Sequence, residues 1–196
     1  LKTPLCIING FSENLREESG YLTKQHYINV IQEQANEMDI LVHKMLNFSK
    51  LESDSAKLNI KSFNIKTELE NIAKKYNDIS SKNIIVTADD KEIFADKELM
   101  ELVFENLIEN AVKYSKDNSD IKISFANNNF NISNECDEIS KKDLKKIWKP
   151  YNRLEKDEEV RGTGIGLSIV KHILKLHRIK PYTEYSGGRL IIGFYI

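Results

Sequence analysis

Between Lys24 and Glu52 the apolar residues Ile28, Ile31, Ala35, Met38, Val42 and Met45 return in steps of 3-4-3-4-3. A heptad seam of that length fits a helix, not a strand, and it demands a partner along its whole run. Tyr27, Val30, Leu41 and Phe48 widen the stripe beyond what one neighbouring helix covers. An earlier helix is expected from residue 1 to about 19, where Leu1, Leu5, Ile8, Phe11 or Ser12, and Leu15 follow a 4-3-3-4 rhythm until Ser19-Gly20 stops it. Pro4 sits in its first turn or kinks a helix begun upstream. Two antiparallel helices joined by a short loop cannot bury so broad a face. Two copies in a four-helix bundle would bury it. Packing on the rest of the same chain is the alternative.

After the polar stretch Ser53 to Lys57 the pattern changes, so a domain boundary is placed there. Residues 1–55 form the helical hairpin and residues 56–196 a mixed α/β domain. Leu58 to Ile65 reads as a strand. Thr67-Glu68-Leu69-Glu70 has the form of a capping box that opens a helix reaching about Asp78. Ile84 to Thr87 and Glu92 to Ala95 read as strands, and Asp96 caps a helix running from Glu98 to Ser115. Ile121, Ile123 and Phe125, then Phe130, Ile132 and Asn134, alternate around Asn127-Asn128-Asn129, which predicts a hairpin. Ser140 opens another helix. Arg153 to Arg161 is a charged loop, Gly166 to His177 a helix, and Arg189 to Ile196 a buried strand.

Composition removes several function classes. A net charge of −1 with Lys and Glu interspersed leaves no electrostatic footprint for nucleic acid. No apolar run is long enough to span a membrane. Cys6 and Cys136 have no second Cys or His at metal-ligand spacing and read as reduced thiols. Leu1-Lys2-Thr3-Pro4 is neither an initiator nor a signal peptide. A longer parent is therefore expected, with any membrane anchor upstream of this cytoplasmic stretch.

Two motifs carry chemistry. In the 98–115 helix, Leu99, Leu102, Val103, Leu107 and Ala111 give one apolar face, and Asn106, Asn110 and Lys113 stack on another at i, i+4, i+7. Carboxamides and an ammonium so aligned suit a metal and a phosphate; a solvated stripe is the alternative. Downstream, Arg161-Gly162-Thr163-Gly164-Ile165-Gly166-Leu167-Ser168 joins the charged loop to a helix. Alternating glycines let backbone N–H groups approach a ligand, and the helix adds its positive end. That makes a phosphate cradle. It is neither a Walker A loop nor a dinucleotide fingerprint, because no Gly-Lys-Ser/Thr follows and no strand precedes.

Taken together the motifs resemble the catalytic core of the sensor histidine kinases of two-component signalling. Asn106-Leu107-Ile108-Glu109-Asn110-Ala111-Val112-Lys113-Tyr114 resembles the N box of that family. Gly162-Thr163-Gly164-Ile165-Gly166-Leu167 is similar to its G2 box, and Trp148-Lys149-Pro150-Tyr151-Asn152-Arg153 to the F box that begins the ATP lid. Leu1-Lys2-Thr3-Pro4-Leu5 resembles the tail of the H box, His-Glu-Leu-Lys-Thr-Pro-Leu. The acceptor His of that pattern would lie two residues before Leu1. His26, His43, His172 and His177 precede no such pattern.

The resemblance implies a helical hairpin, half of a dimeric four-helix bundle, followed by a Bergerat-type α/β sandwich that binds ATP. It implies that Asn110, with Asn106, holds Mg2+ against the ATP phosphates, an ion that prefers hard oxygen ligands. Lys113 would pair with a phosphate and Tyr114 pack near the adenine or ribose. Gly162, Thr163, Gly164, Ile165, Gly166 and Leu167 would line the phosphates. Arg153 would stabilise the transferring γ-phosphoryl group, and Thr3 would orient water for dephosphorylating the partner. Residues 1–55 would make a homodimer, and the receiver domain of a response regulator would be the second partner.

One box departs from the family. The G1 pattern Asp-x-Gly-x-Gly-Ile is here Asn134-Glu135-Cys136-Asp137-Glu138-Ile139. Asn134 still offers an oxygen to the adenine amino group, without charge assistance. Asp137 is the other candidate acceptor, and a plain strand-end Asn the third reading. The rivals to a kinase are a degenerate module that only dimerises and docks, and a hydrolytic ATPase of the same fold. The latter needs a carboxylate at the position of Asn106.

Overall fold

The computed structural model describes residues 2–17, 20–52, 58–150, 152 and 164–196. The chain divides into two compact units, Leu1–Ser53 and Asp54–Ile196. No helix among the described residues is long and apolar enough to cross a membrane.

The first unit is the helical pair α1 (Lys2–Glu17) and α2 (Tyr21–Glu52). α2 starts three residues before the expected Lys24, because Gly20 supplies the carbonyl that accepts from Lys24 N–H at 3.0 Å. Phe11 of α1 meets Tyr27 of α2 edge-on at 5.3 Å between ring centroids, a favourable aromatic geometry. The seam is not exhausted by this contact. Ile28 and Val42 remain 36% and 40% exposed within the unit, and Leu22 stays 81% exposed.

The second unit begins with β1 (Ile60–Asn64), then α3 (Ile65–Ile79), β2 (Ile84–Ala88), β3 (Glu92–Asp96) and α4 (Lys97–Tyr114). It continues with β4 (Ile121–Ala126), β5 (Asn129–Glu135), α5 (Lys141–Lys146), α6 (Gly166–Leu176), β6 (Pro181–Ser186) and β7 (Arg189–Tyr195). β1 and β3 pair antiparallel as a small ribbon, and the main sheet runs β2-β4-β5-β7-β6. β2 and β4 pair parallel. The other neighbours pair antiparallel.

Local chemistry accounts for most element ends. Asp96 caps α4 by accepting from Leu99 N–H, and Ser140 caps α5 by accepting from Asp143 N–H. Asn127 and Asn128 adopt φ of 53° and 63° in the β4–β5 hairpin, a conformation Asn tolerates better than most residues. The α3 cap is a correction. Asn64, not Thr67, is the cap, and its Oδ1 accepts from Thr67 N–H at 3.0 Å. Thr67 lies in the first turn, and Glu68 turns inward to an ion pair with Lys97 at 3.1 Å.

Helices α3 and α4 bury apolar faces against the main sheet, α3 on β2 and α4 on β5, and α4 also packs on α3 and on α6. Phe104 of α4 stands 5.2 Å from Phe130 of β5, which stacks at 4.8 Å on Phe194 of β7. All three are fully buried. Alternation along β5 buries Phe130, Ile132 and Asn134 on that same helix-covered side.

Candidate functional site

α4 and α6 pack together, and Asn106 lies in the seam between them, 4% exposed. Its Nδ2 donates to the Leu102 carbonyl at 2.7 Å. Its Oδ1 is buried with no hydrogen-bond partner among the described residues. A buried orphan acceptor costs about 1–3 kcal/mol, so this oxygen marks a place for a donor or a cation. Gly166 faces it: a Cβ there would stand 2.9 Å from Asn106 Oδ1. The glycine is therefore required by close approach rather than by flexibility.

Gly166 is also the first residue of α6, whose N-cap Ile165 supplies no side-chain hydrogen bond. The first N–H groups of an uncapped helix carry its positive end and seek an anion. Gly164 has φ of 66°, in the left-handed region that favours glycine. Ile165 is buried and Leu167 half-buried. Asn110, Lys113 and Tyr114 are half-buried further along α4, and Lys113 Nζ lies 5.5 Å from the centre of the Tyr114 ring. The stripe thus runs from a buried carboxamide to a partly open ammonium, with a helix N-terminus at its buried end. An oxyanion and the hard cation it carries fit those groups: an oxygen orphan for the cation, N–H donors for the anion.

Glu105 and Glu109 of α4 are turned toward α3. Glu105 takes an ion pair from Lys75 of α3 at 2.8 Å, and Glu109 Oε1 accepts from the Tyr76 hydroxyl at 3.2 Å. Burial, and then the Glu109 and Glu105 charges, push the Tyr76 phenol well above its ordinary value. The hydrogen bond and charge of Glu105 push the Lys75 ammonium up.

At the end of β5, Asn134 is 4% exposed on the helix-covered side. Its Nδ2 donates a long 3.4 Å bond to the Glu135 carbonyl. Asp137, the other candidate acceptor, points to solvent in an ion pair with Lys116 at 3.2 Å, its side chain 79% exposed. Of the remaining residues singled out by sequence, Arg153, Gly162, Thr163 and the Thr3 side chain lie outside what the structure describes.

Two positioning residues have no signature in the sequence. Lys82 Nζ donates to the carbonyls of Ser115 and Lys116 at 3.2 and 2.8 Å and to Asp117 Oδ1 at 3.0 Å. It clasps the carboxyl end of α4, just past Tyr114. His177, after α6, accepts from Asp96 N–H through Nε2 at 3.1 Å and meets the Ile173 carbonyl through Nδ1 at 2.9 Å. It ties the far end of α6 to the cap of α4. Apart from Ile173, one helical turn before His177, their partners are 33 to 81 residues away, so no local pattern announces either.

Comparison with known proteins agrees with this geometry. Residues 95–192 match the family described as histidine kinase-, DNA gyrase B-, and HSP90-like ATPase, and residues 1–54 match the His Kinase A (phospho-acceptor) domain. Sensor histidine kinase ArsS of Helicobacter pylori is 26% identical over 192 residues, 97% of this chain and 43% of that protein. Sensor protein kinase WalK of Staphylococcus aureus is 28% identical over 204 residues, 96% of this chain and 49% of that protein. The chain thus spans less than half the length of either relative.

Three solved structures share the fold. Histidine kinase AdeS of Acinetobacter baumannii has a TM-score of 0.76 at 21% identity, covering 100% of this chain and 95% of its own. Histidine kinase ThkA in complex with response regulator protein TrrA also has 0.76 at 21%, covering 100% and 57%. Full-length ShkA in complex with AMPPNP has 0.73 at 16%, covering 98% and 42%. With a phospho-acceptor helical pair ahead of an ATPase domain whose motifs fall on α4 and α6, the chain belongs to the sensor histidine kinases.

Proposed function

We propose that residues 56–196 bind Mg-ATP between α4 and α6 and that residues 1–55 dimerise and take part in phosphotransfer. The γ-phosphoryl group passes to a histidine nitrogen just upstream of Leu1, and then to an aspartate of a response regulator. The observation that carries the reading is the buried Asn106 Oδ1, which has no hydrogen-bond partner among the described residues, set against the start of α6, where the N-cap Ile165 makes no side-chain hydrogen bond. The AMPPNP held by ShkA and the TrrA held by ThkA support it at the level of ligand and partner class.

In this reading Asn110 and Asn106 offer carboxamide oxygens to Mg2+, which supplies charge neutralisation along the phosphates. The N–H groups at the start of α6 take phosphate oxygens, with Gly164, Ile165, Gly166 and Leu167 lining them. Gly162 and Thr163 extend that lining, and Arg153 meets the γ-phosphoryl group as charge shifts in the transition state. Lys113 pairs with a phosphate and Tyr114 packs on the adenosine. Asn134 reads the base edge. Thr3 orients water in the reverse, dephosphorylating reaction.

Transfer is favoured over hydrolysis because Glu105 and Glu109 are held toward α3 and Asn106 has no basic oxygen. An imidazole nucleophile needs little activation, so catalysis is positioning and charge stabilisation. The partly exposed Ile28 and Val42 support a second copy as the partner of α2. The parent is proposed to be a membrane-anchored sensor with this part in the cytoplasm. Incubation with γ-labelled ATP tests the reading: a parent chain with a His-Glu pair before Leu1 should acquire acid-labile label and pass it to a receiver domain. The 196 residues alone should stay unlabelled. A parent that binds ATP but is never labelled would contradict it.

A further inference from the structure

We propose that the base pocket selects through the Asn134 carboxamide and therefore accepts 6-oxo purine nucleotides as well as 6-amino ones. This rests on the nucleotide-binding reading above and names the substrate class of that same site. The polar groups at the end of β5 are sorted by side. Glu135 is drawn to Arg189 at 3.1 Å on the outer side, and its carbonyl accepts from Lys116 N–H at 2.9 Å. Asp137 is in solvent with Lys116, and Glu138 is exposed. On the helix-covered side, in line with Phe130 and Ile132, stands Asn134. No carboxylate of β5 or of the 136–138 segment reaches that side.

The chemistry of the group then decides. A carboxylate only accepts, so it pairs with a 6-amino group and repels a 6-oxo oxygen. A carboxamide carries an acceptor oxygen and a donor NH2 on the same plane. Turned one way Asn134 accepts from an amino group; turned by half a rotation it donates to a carbonyl. The bond opposing that rotation is the long 3.4 Å contact from Nδ2 to the Glu135 carbonyl, at the weak end of hydrogen-bond geometry. Losing one neutral hydrogen bond changes an equilibrium by about fivefold, so discrimination between the two purine classes should be of that order.

Competition titrations with Mg-ATP, Mg-ITP and Mg-GTP on the wild-type chain and on Asn134→Asp test this; ITP isolates position 6 from the 2-amino group of guanine. The wild type should bind ITP within about tenfold of ATP. The Asp variant should shift the ITP-to-ATP ratio against ITP by at least about tenfold, through a charged acceptor facing a carbonyl oxygen. ATP binding with ITP more than about tenfold weaker in the wild type would overturn the inference and leave the nucleotide site standing, as would an unchanged ratio in the variant. Binding of neither nucleotide would overturn both.

Discussion

Gly166→Ala separates the nucleotide reading from a merely structural one. The added methyl would stand 2.9 Å from Asn106 Oδ1 and 3.8 Å from its Cγ. The carboxamide is pinned by its 2.7 Å bond to the Leu102 carbonyl, so the start of α6 must yield. Overpacking of this kind costs about 1–3 kcal/mol. Replacing glycine in a helix returns up to about 1 kcal/mol. With the full return the net loss is about 0–2 kcal/mol, a Tm lower by no more than about 8 °C for a chain of this size. Affinity should suffer more. Moving the first N–H groups of α6 off a phosphate forfeits one or two charge-assisted bonds of about 1.5–3 kcal/mol each, so the Kd for Mg-ATP should rise at least about tenfold. Calorimetric titration and thermal unfolding read the two quantities. Gly10→Ala in α1, where a Cβ meets nothing within 4 Å, should leave affinity unchanged. Gly166→Ala with wild-type affinity would refute the assignment of α6 as the phosphate cradle.

Three further outcomes are expected. Lys82→Met removes the clasp on the Ser115 and Lys116 carbonyls and should lower stability by about 2–3 kcal/mol in denaturant titration, with weaker Mg-ATP binding because Lys113 and Tyr114 lie just before it. The Asp117 contact adds little, since that side chain is 99% exposed. Tyr76→Phe removes the bond to Glu109 at about 1 kcal/mol. Because the folded-state value for this phenol is raised above 10.0, its contribution is fully present below pH 10 and is lost as pH rises beyond it. The stability gap between wild type and Y76F should therefore narrow in alkaline denaturation curves. Ile28→Lys with Val42→Lys charges two partly exposed seam positions; sedimentation should find two copies for the wild type and one folded copy for the variant.

What was legible in the sequence was whatever is settled within a few residues. The Asn127-Asn128 turn, the Asp96 and Ser140 caps and the extent of α6 follow from local patterns and stand where expected. Thr67-Glu70 misled because a capping-box spacing occurs by composition, whereas the cap that forms also depends on where Asn64 leaves the β1–β3 ribbon. β6 went unseen: Pro181-Tyr182-Thr183-Glu184-Tyr185-Ser186 lies at the sheet edge, with no side chain fully buried, so it lacks the apolar alternation that marks a strand. The polar stripe of α4 was legible as a stripe, but its burial at Asn106 was not, because α6 covers it from some 60 residues downstream, between Asn106 and Gly166. Separations of 33 and 81 residues likewise hide Lys82 and His177.

The central claim is that the α4–α6 seam holds Mg-ATP, and calorimetry of the isolated chain tests it most directly. Mg-ATP should bind once per chain at millimolar concentration or below. Asn110→Ala, which removes a half-buried oxygen without touching the core, should abolish that binding while leaving the unfolding transition in place. No binding to the wild type at millimolar Mg-ATP, or equal affinity in the variant, would contradict the account.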